Sequence, residues 1–203
     1  MYASHATDPG RVLPDRIAAL RALLQARARP SAAIEAGGNP PRRAAVLILL
    51  IGGDEALRTV VFERTLQVAD HKGEICFPGG SIEPGDADTV AAALREAEEE
   101  LGICAHDVAI LGMLDDVRTR GSNFVITPVV GYMPVVPELK ADKREVARVI
   151  ILQLDDNFRS SRFKEMVTIR GAEREVDAYP VEGGRIWGAS LRALELLLDA
   201  MKG

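Results

Sequence analysis

Cysteine is scarce in this sequence of 203 residues, in which Cys76 and Cys104 are the only two. Two cysteines are too few for the disulfide framework that stabilises small secreted domains. We therefore expect a reducing, cytoplasmic environment. Neither cysteine stands in a pattern that indicates a nucleophile, and we expect both to be buried structural thiols.

Long apolar runs are also missing. The longest, from Ala44 to Ile51, has eight residues, whereas a membrane-spanning helix needs about 20. The N-terminal residues 1–11 contain no apolar segment of the kind that forms the centre of a signal peptide. We expect neither a membrane span nor a secretory leader.

Positive charge is not in excess, since 25 lysines and arginines face 30 aspartates and glutamates, for a net charge of −5. A general nucleic-acid binder would carry a basic face, so we do not expect a nucleic-acid partner. An anionic substrate would need metal ions and a few local cations. The length and the 47% hydrophobic content are typical of a soluble, globular protein with one substantial core.

The sequence does contain a glycine-rich turn followed by a glutamate-rich helix, between Phe77 and Ile103. Asp86 is suited to cap the start of the helix, and Gly102 is suited to the left-handed position after its last turn. Helical spacing predicts one buried stripe, which consists of Val90, Leu94, Ala97 and Leu101.

A separate face of the same helix carries Glu96, Glu99 and Glu100. Glu96 and Glu100 are like charges four residues apart, which destabilises a helix by about 0.2–0.5 kcal/mol. Arg95 is the local cation that offsets them. A run of acids is usually a solvated helix face. The alternative is a site for hard divalent cations such as Mg²⁺, which prefer carboxylate oxygens, and the adjoining glycine turn favours this second interpretation.

Together these residues resemble the Nudix box. The matching positions are Gly80, Arg95-Glu96, Glu99-Glu100 and Gly102-Ile103. One position departs from the pattern: Asp86 stands where glutamate is usual, and eight residues rather than seven separate it from Arg95. We interpret Asp86 as the helix cap.

Membership of this family implies a mixed α/β fold, the Nudix α/β/α sandwich with a mixed β-sheet. It also implies hydrolysis of a nucleoside diphosphate linked to another moiety, with Mg²⁺ or Mn²⁺ as cofactor. The implied metal ligands are Glu96, Glu99 and Glu100, together with the Gly80 carbonyl. Arg95 is expected to orient Glu99, and one glutamate, with Glu96 a candidate, is expected to act as general base.

Residues outside the box resemble the coenzyme A diphosphatase branch. Gly73 and the Phe77–Gly80 segment match the signature of that branch, but Ala69 replaces an expected arginine. The branch also has Leu-Leu-Thr where this chain has Val60-Val61-Phe62. Further similarity lies in Leu114–Val117, Thr127-Pro128 and Ile186–Gly188, so that the resemblance extends over roughly residues 43–198.

This branch implies cleavage of coenzyme A or acyl-coenzyme A to 3′,5′-ADP and a 4′-phosphopantetheine species. Arg64 and Lys72, in a polar loop, are candidate phosphate-binding cations beside Gly79 and Gly80. Hydrolysis of ADP-ribose or NADH would need the same box with a different outer pocket. A non-catalytic nucleotide-binding module would be expected to lose box carboxylates, and all three are present.

The sequence as a whole predicts two parts, an N-terminal helix and linker at residues 1–40 and a Nudix domain at residues 41–203. The helix, at Pro14–Arg29, would pack on the domain or on a second subunit, so a homodimer stays open. Expected strands are at 44–51, 59–62, 74–77, 108–114, 124–132 (broken at Pro128) and 146–154, and a turn at Gly183-Gly184 leads to Ile186-Trp187. A hairpin at 164–170 and 175–181 turns at Gly171, and a final helix is capped by Ser190.

Overall fold

The computed structural model describes residues 13–26, 40–53, 57–67, 72–119, 122–169 and 171–202. Its helices are α1 (Asp15–Ala26), α2 (Thr89–Leu101), α3 (Asp156–Ser160) and α4 (Gly188–Ala200), with a 3₁₀ turn at Ala105–Asp107. Its strands are β1 (Arg42–Ile51), β2 (Arg58–Arg64), β3 (Ile75–Cys76), β4 (Gly79–Ser81), β5 (Ala109–Met113), β6 (Val117–Arg118), β7 (Phe124–Met133), β8 (Val146–Gln153), β9 (Phe163–Ile169), β10 (Ala172–Val181) and β11 (Gly184–Trp187).

Strand β1 lies at the centre of a mixed sheet with the order β3-β2-β1-β7-β5. It pairs in parallel with β7 over its whole length. Its other edge pairs antiparallel with β4 near its start and with β2 near its end. Strand β6 extends the sheet beside β7, and β8 pairs with β2, while β9, β10 and β11 form a second sheet.

Both faces of β1 are buried, which explains its continuous apolar sequence. Leu47 and Leu49 pack in a core that includes the inner side of α2. Ile48 and Leu50 point the other way, into a core shared with α1 and α4. The mixed sheet therefore lies between helices on its two faces, and the α/β/α sandwich expected from the sequence is confirmed.

Helix α1 packs on this same domain. Ile17, Leu20 and Leu24 are buried in the core that contains β1. The side chain of Leu24 lies so close to β5 that a Cβ at Gly112 would approach its Cβ to 2.7 Å. The expected end of the helix near Arg29, and the linker up to residue 39, lie outside the described residues.

Proline 128 does not break its strand, contrary to expectation, since β7 runs through it without interruption. Its carbonyl accepts a hydrogen bond from the Leu114 N–H at 2.9 Å. Pro128 lies where the neighbour of β7 changes from β6, which pairs up to Ile126, to β5, which pairs from Val129. A missing N–H costs little at such a discontinuity in the ladder.

Two smaller expectations are wrong, and one short helix was not predicted. Helix α4 begins at Gly188, with Trp187 at its N-cap and no side-chain cap, so Ser190 already lies inside the helix. Cys104 is exposed and Cys76 is partly buried, so the pair are not both core thiols. The short helix α3, capped by the Asp155 carboxylate, was not expected. Among the described residues, no helix is long and apolar enough to cross a membrane.

Candidate active site

The glycine turn is formed by close contact between β4 and β1. Gly79 has φ 155°, a conformation that favours glycine. A Cβ there would overlap the Ala45 carbonyl oxygen and lie 2.6 Å from the Val46 Cα. The absence of a side chain lets the Gly79 N–H reach the Glu100 carboxylate, to whose Oε2 it donates at 2.9 Å.

Helix α2 follows this turn and presents the glutamates to it. Val90, Leu94, Ala97 and Leu101 are buried, as their spacing predicted. Gly102 ends the helix in the left-handed conformation at φ 69°. The structure therefore confirms the predicted buried stripe and the C-terminal end of the helix.

Asp86 does not cap the helix. The N-cap is Asp88, whose Oδ1 accepts the Ala91 N–H at 2.8 Å. Asp86 lies two residues before Asp88, in the preceding loop. Its carboxylate accepts two hydrogen bonds from Arg95, from Nε at 2.9 Å and from Nη2 at 3.2 Å. These bonds hold the pKa of Asp86 below its usual value, with help from the Glu83 N–H.

Arg95 connects this loop to the helix acids. Its Nη1 donates to Glu96 Oε1 at 3.0 Å and to Glu99 Oε2 at 3.4 Å, and its Nη2 also donates to the Ser81 carbonyl at 3.2 Å. The expected contact with Glu99 is present but is the longest of the set, and the Glu99 side chain is 61% exposed. The shorter bonds orient Asp86 and Glu96.

Gly80 and Glu96 come together as the sequence predicted. A Cβ at Gly80 would overlap the Glu96 carboxylate, whose Cδ would lie 2.5 Å away. Burial raises the pKa of Glu96, whereas the neighbouring Arg95 charge and hydrogen bond lower it. Glycine at position 80 therefore makes room for this carboxylate beside the backbone of the turn.

Glu100 points inward and is only 3% exposed. Besides Gly79, its partner is Arg64, whose Nη1 lies 3.3 Å from Glu100 Oε1. Burial raises the pKa of Glu100 to about 8, although the Gly79 N–H and the Arg64 charge oppose this shift. The three box glutamates thus differ: Glu99 is in solvent, Glu96 is half-buried and Glu100 is buried.

The two candidate phosphate-binding cations are not equivalent. Arg64 is the last residue of β2 rather than part of a loop, and its Nη2 donates to Glu145 Oε2 at 3.0 Å. Lys72 is exposed in the turn before Gly73, whose N–H donates to the Arg64 carbonyl at 3.1 Å. Ala69, where the branch has arginine, lies outside the described residues.

Sequence reasoning missed Glu145. This residue is 81 positions from Arg64 in the chain and lies outside every motif that we identified. The signal that could have found it is the Lys143-Arg144-Glu145 charge cluster directly before β8, although such clusters are usually solvated.

The donor set fits a hard divalent cation in its chemistry, because it consists of carboxylate oxygens around a glycine turn. No group of three or more His, Cys, Asp or Glu side chains within the described ranges is already arranged to hold a metal ion. The same carboxylates bind arginines. Arg95 forms ion pairs with Glu96 and Glu99, and Arg64 forms one with Glu100. Each box carboxylate is therefore paired with a guanidinium group.

Comparison with known proteins identifies the family. The model of the NUDIX domain matches residues 41–166. The "Uncharacterized Nudix hydrolase NudL" of Photorhabdus laumondii is 32% identical over 140 residues, which are 68% of this chain and 74% of the relative. "Nudix hydrolase 3" of Caenorhabditis elegans is 34% identical over 156 aligned positions, and the match covers 68% of this chain and 63% of the relative.

Solved structures share the fold. A MutT/nudix family protein from Enterococcus faecalis superposes with a TM-score of 0.56 at 14% identity, covering 88% of this chain and 66% of its own. The NUDIX domain of NrtR from Shewanella oneidensis superposes with a TM-score of 0.52 at 15% identity, and the match covers 88% of this chain and 96% of the NrtR domain. The family model and the relatives at 32% and 34% identity, together with the box carboxylates and the glycine turn, show that the chain belongs to the Nudix family, as a hydrolase that cleaves phosphoric anhydrides in nucleoside diphosphate derivatives.

Proposed function

We propose that this hydrolase cleaves the diphosphate linkage of coenzyme A or acyl-coenzyme A, giving 3′,5′-ADP and a 4′-phosphopantetheine species. One observation carries the proposal. The Phe77–Gly80 segment, which with Gly73 resembles the signature of the coenzyme A diphosphatase branch, brings Gly80 against Glu96 and the Gly79 N–H against Glu100.

This segment is rigidly held, which supports a role in positioning a substrate. Phe77 is 2% exposed, and the Pro78 carbonyl accepts the Leu47 N–H at 2.8 Å. Gly79 and Gly80 are also held in place, because they pair with β1 as part of the sheet. A diphosphate beside this turn would meet a fixed backbone, which would help to orient it for attack.

The expected metal ligands are Glu96, Glu99 and Glu100, with the Gly80 carbonyl, for Mg²⁺ or Mn²⁺. A bound cation of this kind neutralises phosphate charge and lowers the pKa of an attacking water. Arg95 positions Glu96 through its Oε1. We propose Glu96 as the general base in place of a metal ligand: its Oε2 would accept the proton of the water, while Glu99, Glu100 and the Gly80 carbonyl would hold the cation.

Lys72 is the candidate for substrate recognition. It is exposed in the turn next to Gly73, so its ammonium group is accessible to a phosphate. Arg64, in contrast, is already engaged by two carboxylates. Coenzyme A carries a 3′-phosphate that ADP-ribose lacks, and a cation at this turn could give it a charge-assisted hydrogen bond.

Product analysis tests the proposal. Coenzyme A, 3′-dephospho-coenzyme A, ADP-ribose and NADH are compared at equal concentration with Mg²⁺ or Mn²⁺, and 3′,5′-ADP is the expected product from coenzyme A. The NrtR domain was solved with ADP ribose, which makes ADP-ribose the necessary comparison. Faster hydrolysis of ADP-ribose or NADH would refute the branch assignment. Nucleotide binding without hydrolysis would instead indicate a non-catalytic module.

A further inference from the structure

Arg64 connects two carboxylates that come from distant parts of the chain. Its Nη1 lies 3.3 Å from Oε1 of Glu100 on α2, and its Nη2 lies 3.0 Å from Oε2 of Glu145, directly before β8. The Arg64 side chain is 19% exposed, that of Glu100 is 4% exposed and that of Glu145 is 46% exposed. Arg64 therefore links a half-exposed carboxylate, that of Glu145, to the buried carboxylate of Glu100.

The backbone around Arg64 is arranged to hold this contact. The pairing of β2 with β8 shifts register between Glu63 and Arg64, so that Arg64 lies opposite Val146, the residue after Glu145. The Arg64 N–H donates to the Glu74 carbonyl at 2.9 Å, and the Thr65 N–H donates to the Glu145 carbonyl at 2.8 Å. Glu145 is thus tied to the end of β2 by its backbone as well as by its side chain.

Glu100 is held from two sides, by the Gly79 N–H at Oε2 and by Arg64 at Oε1. The Gly79 bond comes from the rigid turn, so it fixes one oxygen. Arg64 fixes the other oxygen and with it the rotation of the carboxylate plane. Groups that orient ligand carboxylates in this way tune metal affinity although they do not touch the metal.

We propose that Arg64 is a positioning residue of the metal site: one guanidinium nitrogen orients Glu100, and the other is fixed by Glu145, which acts through Arg64. The inference rests on the proposed role of Glu100 as a metal ligand. It assigns Arg64 to the carboxylates rather than to a substrate phosphate, and it brings Glu145, a residue outside the Nudix box, into the site.

The test is Mn²⁺ affinity in the absence of substrate, measured by electron paramagnetic resonance titration. Arg64→Lys keeps the charge but loses the two-nitrogen fork, so it should raise the Kd for Mn²⁺ by roughly 10-fold or more, as expected for a group that orients a metal ligand. Arg148→Lys is the matched control. Arg148 likewise binds a carboxylate, that of Glu63, through Nε and Nη2 at 3.2 and 2.9 Å. It lies against Gly183, in the turn between β10 and β11, away from the proposed metal ligands. The Mn²⁺ Kd of Arg148→Lys should therefore equal that of the wild type.

A double-mutant cycle tests the part played by Glu145. Glu145→Gln should weaken Mn²⁺ binding less than Arg64→Lys does, and the double variant should bind as Arg64→Lys alone. A Glu145→Gln loss larger than the Arg64→Lys loss, or losses that multiply in the double variant, would show that Glu145 acts on the metal independently of Arg64. Either result would overturn the proposal.

Failure of the inference is separable from failure of the proposed function. If the wild type binds no Mn²⁺ in the micromolar to millimolar range, both are wrong. If the wild type binds Mn²⁺ and Arg64→Lys has the same Kd while its KM for coenzyme A rises, Arg64 contacts substrate and only the positioning role is wrong. Thermal melting checks folding, and if Arg64→Lys does not fold, an unchanged Kd in Glu145→Gln refutes the proposal.

Discussion

Replacement of Glu100 by glutamine should make the metal-free protein less sensitive to pH between about 5 and 8. Burial raises the pKa of this carboxyl from 4.5 to about 8. Across that interval the folded wild type holds a proton that the unfolded chain has released. The free energy of unfolding therefore falls as pH rises from the unfolded to the folded pKa, and it is highest below that interval. Glutamine, which does not titrate, removes this dependence.

The magnitude follows from the size of the shift. Each pKa unit corresponds to about 1.4 kcal/mol, so the wild type should lose on the order of 3–5 kcal/mol between pH 5 and pH 8 through this group. For a chain of this length, 1 kcal/mol corresponds to roughly 2–4 °C in Tm. The Tm of Glu100→Gln minus that of the wild type should therefore increase by roughly 10 °C over the interval.

Other titrating groups do not obscure this difference. The pKa of Asp86 lies below its usual value, and burial raises that of Cys76 to about 12, so both titrate outside the interval. Glu96, whose pKa is also raised, is present in both proteins, and its charge is a smaller cause of the Glu100 shift than burial is. Glu99→Gln, which removes an exposed carboxylate from the same turn, is the matched control and should parallel the wild type.

The measurement is thermal and urea unfolding of the three proteins in a chelator at pH 5, 6, 7 and 8. Parallel loss of stability in the wild type and Glu100→Gln would refute the reasoning, because it would show that Glu100 is already ionised in the folded, metal-free state. Mg²⁺ added at pH 8 should raise the Tm of the wild type more than that of the variant, since a ligand that binds only the native state stabilises it. Turnover of the variant should be mostly lost.

Three further changes have defined outcomes. Asp88→Ala should destabilise the protein by about 0.5–2 kcal/mol in urea unfolding, because it removes the cap of α2; an unchanged midpoint would contradict the cap. Gly79→Ala should melt far below the wild type, since its Cβ would overlap the Ala45 carbonyl, whereas Gly85→Ala, with open space around it, should melt normally. Lys72→Ala should raise KM for coenzyme A about 10-fold, within the range for a hydrogen bond to a charged group. It should leave KM for 3′-dephospho-coenzyme A unchanged, and equal effects would exclude Lys72 from reading the 3′-phosphate.

Local signals explain what the sequence predicted. The buried stripe of α2 and the stop at Gly102 depend on spacing within one helix, and the apolar run at Ala44–Ile51 depends on burial of both strand faces. The approach of Gly80 to Glu96 also follows from one short segment. In each case the residues that decide the structure are close together in the chain.

Competition between side chains and pairing with a distant strand explain what it did not predict. Asp86 has a side chain fit to cap a helix, but Arg95 competes for it with two hydrogen bonds, and the extra residue in the loop leaves Asp88 to cap. Arg64 was expected in a loop because polar residues follow it, whereas pairing with β8 extends the strand up to it. Neither outcome is encoded in the neighbouring residues alone.

The same contacts change the physical account of the acidic helix face. From spacing alone, repulsion between Glu96 and Glu100 is the main cost of the cluster. In the structure, Arg64 compensates Glu100, and burial is the largest cause of its raised pKa, ahead of the Glu96 charge. Salt screens repulsion between exposed charges but has little effect on burial. The pH-dependent difference between the wild type and Glu100→Gln should therefore persist in 1 M NaCl, and a difference that disappears there would assign the cost to repulsion instead.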